Sequence, residues 1–146
     1  MKTVCTIGYT KKDLRTFLRL LEDAQVTRVI DIRLRNTSQL AGFAKRDDLS
    51  FILSLRGIQY RHAPELAPTE ELLDSYRATK DWGKYQQGFT QLLEERQAMS
   101  LLGAVAEDDD VICLLCAEPT PEHCHRGIVA EYLKGRFGSI SIKHLV

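Results

Sequence analysis

Val111-Ile112-Cys113-Leu114-Leu115-Cys116 is an unbroken apolar run with no alternation of polar and apolar positions. A run of this length reads as a strand buried on both faces, which belongs in the middle of a parallel sheet covered by helices on each side. The strand is followed by Ala117-Glu118-Pro119-Thr120-Pro121, a proline-containing turn, and then by a predicted helix over 124–137 that Gly138 ends. This handover from apolar strand to helix is where open α/β proteins concentrate their chemistry.

The rest of the chain fits around it. Residues 3–7 are β-favouring and close at Gly8-Tyr9-Thr10. Leu14, Phe17, Leu18 and Leu21 then follow at helical spacing, with Thr10 as the expected N-cap. Residues 26–34 form the next predicted strand, so the first three elements have the form of a right-handed βαβ unit with parallel pairing. Residues 36–43 read as a loop. Asp47 or Asp48 is the expected cap of a helix carrying Leu49, Ile52 and Leu53, stopped by Gly57, and 58–62 read as a strand. Thr69 opens another helix, and Trp82, Tyr85, Phe89, Leu92 and Leu93 form an apolar stripe running to about Met99. A helical turn is expected over 101–106, a solvated acidic loop at Glu107–Asp110, and a last strand over 139–146. No repeat or linker interrupts the chain. The expectation is one domain over residues 1–146, of class α/β, a three-layer Rossmann-like domain with a mainly parallel sheet of about five strands.

At 146 residues the chain is long enough to bury roughly 70% of the surface it exposes when unfolded. It therefore does not depend on disulfides for a core, and four cysteines are read as free thiols of a cytoplasmic protein. No stretch approaches the roughly 20 apolar residues of a membrane span, and the Met1-Lys2-Thr3-Val4 start shows no signal peptide. Twenty Lys+Arg against twenty Asp+Glu give no bulk attraction for nucleic acid or anionic membranes. The charge is uneven, with Arg28, Arg33, Arg35, Lys45, Arg46, Arg56 and Arg61 against three Asp between positions 28 and 62.

Loops at the carboxyl ends of parallel strands converge on one crevice. Reading off those ends gives Gly8, Tyr9 and Thr10, then Asp31 and Arg33, and finally Cys116 and Glu118 facing Cys124, His125 and Arg126 at the predicted helix start. Cys124 there would feel the positive end of the helix dipole beside His125 and Arg126, conditions that favour a thiolate. Arg126 and the free N–H groups of the first turn would hold an anion, and Glu118 or His125 would move protons. Cys5 and Cys113 read as core packing, and His62, His123 and His144 as surface or structural residues. Asp31 and Arg33 fit either a binding role or an ion pair at the sheet edge.

Cys113, Cys116, Cys124 and His125 match zinc ligands in type and number. However, the first two lie in a strand at a spacing that points them to opposite faces, so no closed zinc site is expected and no metal or cofactor is assigned. A Cys116–Cys124 pair across the turn stays open. A tyrosine-phosphatase loop needs Arg six residues after its Cys, but Glu122 and Ala130 stand at those positions. No phosphate-binding or dinucleotide glycine fingerprint appears.

Thr6-Ile7-Gly8-Tyr9-Thr10, Val29-Ile30-Asp31-Ile32-Arg33, Ser38, Phe43, Gly57-Ile58-x-Tyr60, Trp82-x-x-Tyr85, Leu115-Cys116-Ala117-Glu118 and Cys124-His125-Arg126 together resemble the domain of unknown function 488 family. The resemblance spans nearly the whole chain and implies a small three-layer α/β fold. It adds Ser38 and Tyr60 to the substrate-binding candidates and implies no particular reaction. Leu66-Ala67-Pro68 stands where many members have Leu-Gly-Gly, and Tyr9-Thr10 where His-Ser is common.

The leading expectation is an enzyme with Cys124 as nucleophile or redox thiol, paired with Cys116. It would act on a small anionic substrate, phosphate- or nucleotide-like, held by Arg33 and Arg126. The alternatives are a nucleic-acid or protein binding module whose polar cluster is structural, and a metal-dependent hydrolase.

Overall fold

A computed structural model describes residues 3–107 and 109–146. The Met1-Lys2 start and Asp108 of the acidic loop lie outside the described residues. Five strands, β1 (Thr3–Gly8), β2 (Arg28–Asp31), β3 (Gln59–His62), β4 (Ile112–Cys116) and β5 (Ser141–Leu145), form one sheet. Their order is β3-β2-β4-β1-β5, and every pairing is parallel. All five residues of β4 are buried, and it holds the centre as its composition requires. It also separates β1 from β2. The first strand–helix–strand unit is therefore parallel, as expected, but its strands are not neighbours. The wholly apolar strand takes the slot between them, at the centre of the five-stranded sheet, where both faces are covered.

Side-chain alternation sends each strand's residues into two cores. On one face Cys5, Ile7, Val29, Cys113 and Leu115 pack against Phe17, Leu18 and Leu21 of α1 (Leu14–Asp23) and Leu49 and Leu53 of α2 (Arg46–Ser54). On the other, Val4, Ile30, Ile112 and Leu114 meet α4 (Trp82–Glu95), α5 (Ala98–Val105) and α6 (His125–Phe137). The preceding helix, α3 (Glu70–Thr79), buries none of its residues fully and packs on α4 through Leu72, Leu73 and Tyr76. The result is a three-layer, Rossmann-like arrangement.

Several local expectations are corrected. Asp13, not Thr10, caps α1, accepting from Thr16 N at 2.8 Å. Thr10 is drawn away to the β4 exit. Lys45 occupies the N-cap of α2 without a side-chain bond, while Asp47 and Asp48 fall in the first turn, where a carboxylate is still favoured by the helix dipole. Residues 39–44 form a short 3-10 segment, not an open loop. The long apolar stripe is two helices, broken at Gln97 with φ 53°. Asp110 is not simply solvated, because Arg28 Nε donates to it at 2.9 Å. Gly57 and Gly138 both take φ of 72°, the left-handed geometry expected of helix stops.

Candidate active site

β4 ends at Cys116 with its side chain on the α6 side, since Ile112 and Leu114 share that face and Cys113 points the other way. Directly across the turn stands Cys124, the N-cap of α6. The two sulfurs are 2.9 Å apart and unbonded. Cys116 Sγ accepts from the Cys124 thiol and from the main-chain N–H groups of Ala117 and Glu118. The Cys124 bond pulls the Cys116 thiol below its usual range against the effect of burial, aided by the two amides and the nearby Arg126 cation. The same bond, reinforced by burial, pushes Cys124 up. The two thiols titrate as a coupled pair, with Cys116 favoured to ionise before Cys124. The direction of these shifts favours Cys116, beside the expected Cys124, as the thiolate of the pair.

His125 completes the group. Its Nε2 lies 2.6 Å from the Ile32 carbonyl, which can only accept, so this nitrogen carries a proton. Nδ1 then faces Cys116 Sγ at 3.5 Å. A thiol, an imidazole and a group fixing the imidazole's orientation form the general pattern of an activated nucleophile.

Arg126 is wholly buried on α6. Nε donates to Thr6 Oγ1 at 3.2 Å, Nη1 to the Glu118 carbonyl at 2.6 Å, and Nη1 lies 3.8 Å from Cys124 Sγ. Among the described residues no carboxylate forms an ion pair with it. A buried guanidinium requires a counter-charge, and the cysteine pair is the adjacent group able to supply one. Arg126 braces the site through Nε and Nη1, and its buried Nη2 has no hydrogen-bond partner among the described residues.

The first-strand residues serve as a clamp. A Cβ on Gly8 would fall 1.5 Å from the Glu118 carbonyl oxygen and 2.9 Å from Arg126 Nη1, so this position admits no side chain. Tyr9 N donates to the Cys116 carbonyl at 3.3 Å and Thr10 N to Ala117 O at 3.0 Å, with the Thr10 hydroxyl on the same acceptor. Glu118 thus contributes its backbone, while its carboxylate stays exposed.

Asp31 and Arg33 form a buried bidentate pair, Nε–Oδ1 2.8 Å and Nη2–Oδ2 2.7 Å. Asn36 Nδ2 at 3.1 Å and the Tyr60 hydroxyl also donate to Asp31. Burial opposes the charge on Asp31, yet the bonds and charge of Arg33, with Tyr60, keep its pKa below the usual carboxylate value. Burial and Asp31 together raise Tyr60. Arg33 lies under Tyr9, 5.4 Å from the ring centroid. Ser38 stands apart: it is exposed and caps the 3-10 segment through Leu40 N at 3.2 Å.

A cleft of about 360 Å³ opens over this group, walled by Tyr9, Arg33, Arg35, Arg77, Cys116 and His125. A second of about 300 Å³ meets the same Cys116 and His125 from the side of Tyr76, Tyr85 and His123. The sulfurs of Cys116 and Cys124 and a ring nitrogen of His125 lie within 4.8 Å of one another, so these three residues could also hold a metal ion. Sequence reasoning missed the Ile32 carbonyl, Thr6, and Arg77 with Tyr76 on α3. Only Thr6, a hydroxyl inside a buried strand, carried a visible signal. Cys5 and Cys113 are paired in register within the core as expected, and burial raises both thiols.

No described helix is long and apolar enough to cross a membrane. No match is found among curated proteins or solved structures. One family model, Domain of unknown function DUF488, matches residues 13–133. It covers both halves of the site, from the Asp31–Arg33 pair to the Cys116–Cys124–His125–Arg126 group, and the chain belongs to that family.

Proposed function

We propose that this protein is a thiol-dependent enzyme of the cytoplasm, with Cys116 as its nucleophile, acting on a small anionic, nucleotide-like substrate. The observation that carries this reading is the Cys116–His125 contact of 3.5 Å at the wall of an arginine-lined cleft. The Cys116 thiolate attacks an electrophilic carbon of the substrate, and the bond to the leaving group breaks. His125, entering as the imidazolium with Nε2–H on the Ile32 carbonyl, delivers its Nδ1 proton to that group and is left neutral. Water, deprotonated by the same nitrogen, then releases the product and restores the thiolate. Arg126 balances the thiolate from beneath. Arg35 and Arg77, exposed at the cleft mouth and paired with Glu70 and Asp74, exchange those partners for the substrate's anionic group.

The test is alkylation by iodoacetamide at neutral pH, with the modified residue located by mass spectrometry. Cys116 should react faster than free cysteine, and inorganic phosphate should slow it. Arg35→Ala combined with Arg77→Ala should remove that protection. A Cys116 no faster than free cysteine overturns the reading.

A metal-dependent hydrolase is the second reading, favoured by the three converging ligand atoms and by the carbonyl bond that orients His125, as is usual for metal-bound imidazoles. Stoichiometric zinc in the purified protein would establish it in place of the first.

A further inference from the structure

The four cysteines form two pairs with opposite surroundings. Cys5 and Cys113 face each other across β1 and β4, sealed in the core. Cys116 and Cys124 touch at 2.9 Å, and each borders open space: Cys116 lines both clefts beside the active group, and Cys124 lines the second. We infer that Cys116 and Cys124 are a reversible oxidation site, closed to a disulfide by a small hydroperoxide and reopened by a dithiol reductant. This inference rests on the Cys116 thiolate of the proposed function and adds a chemistry to it.

The Cys116 thiolate attacks the distal oxygen of the peroxide, the O–O bond breaks, and the departing alkoxide or hydroxide takes up a proton. The peroxide is reduced by two electrons and Cys116 is oxidised to the sulfenic acid. Cys124 then attacks the Cys116 sulfur. The S–O bond breaks, hydroxide leaves, and the Cys124 proton turns it into water. A dithiol returns two electrons and two protons and is itself left as a disulfide.

Three placements favour closure over further oxidation. Cys124 already directs its thiol at the sulfur it must attack. It gives no side-chain cap bond to α6, so it can leave without uncapping the helix. Its sulfur lies 3.8 Å from Arg126 Nη1 and at a helix N-terminus, both of which stabilise the thiolate it passes through. The disulfide consumes the nucleophile, so the oxidised protein is inactive until reduced.

The test treats the reduced full chain with one equivalent of hydrogen peroxide. Two of the four thiols should disappear, with a mass loss of about two hydrogens relative to the dithiol. Digestion after Glu122 should release peptides containing Cys116 and Cys124 that stay joined until dithiothreitol is added. Cys124→Ser should instead leave a Cys116 sulfenic acid that dimedone traps, and Cys116→Ser should leave all its thiols intact. Loss of the Cys5 and Cys113 thiols instead, or sulfinic acid at Cys116 without a joined peptide, overturns the inference. If Cys116 in the same sample still alkylates rapidly, the oxidation site alone has failed. If it is inert to iodoacetamide as well, the thiolate reading has failed with it.

Discussion

His125 donates from Nε2 to the carbonyl of Ile32 at 2.6 Å, and this one bond decides which nitrogen meets Cys116. Phe89 packs edge-on against the same imidazole, with ring centroids 5.8 Å apart, and Nδ1 is the nearer of its two nitrogens to Cys116 Sγ, at 3.5 Å against 3.9 Å. With p-nitrophenyl acetate as a reporter, wild type should acylate at Cys116 and turn over. His125→Gln should still acylate, since nitrophenolate leaves without needing a proton, but should deacylate about 100-fold more slowly. Stopped-flow release of nitrophenol separates the burst from the steady state. Equal loss of both phases would place His125 elsewhere in the mechanism.

Asp31 accepts five hydrogen bonds with one carboxylate. Asp31→Asn would leave the Arg33 guanidinium buried without its partner, at a cost of about 3–5 kcal/mol. Chemical denaturation at neutral pH measures this. The pH dependence follows from the direction of the shift. The folded-state pKa lies below the ordinary value of 3.8, so the contribution is complete above that pH and is lost as pH falls through the depressed value. Acid unfolding of wild type should steepen below about pH 4, and Asp31→Asn should lose that component.

Gly8→Ala should be among the most damaging single-methyl changes in the chain. The added carbon would sit 1.5 Å from the Glu118 carbonyl oxygen, and neither β1 nor the β4 exit can withdraw without breaking the Tyr9 and Thr10 bonds. A loss of about 3 kcal/mol or more is expected, read from the denaturation midpoint. Gly103→Ala, where no atom lies within 4 Å of the new carbon, serves as the control and should be neutral or slightly stabilising.

The all-apolar composition of residues 111–116 made the central strand and its covering layers legible, and the alternation within it correctly separated Cys113 from Cys116. Strand ends then brought Asp31, Arg33, Cys116, Cys124 and His125 into one neighbourhood. What stayed hidden depends on side-chain direction and on backbone groups, which carry no residue signature. The Ile32 carbonyl that orients His125 could be supplied by any residue. Arg126 looks like an anion-binding cation at a helix start, yet helical geometry turns it inward onto Thr6. The strand–helix–strand pattern gave parallel strands correctly but could not show that β4 would slide between β1 and β2. Thr10 lost its cap role to Asp13 because a carbonyl of a distant turn competes for the same hydroxyl.

The claim on which the mechanism depends is that the buried cysteine pair carries one negative charge, located on Cys116 and balanced by Arg126. Thiolate absorbance near 240 nm, titrated in wild type and in Cys116→Ser, measures that charge directly. One thiolate should ionise below the usual thiol value of 9.0, vanish in Cys116→Ser, and move to higher pH in Arg126→Met. A wild-type curve in which no thiol ionises before that value, or one unchanged by Cys116→Ser, would contradict the assignment.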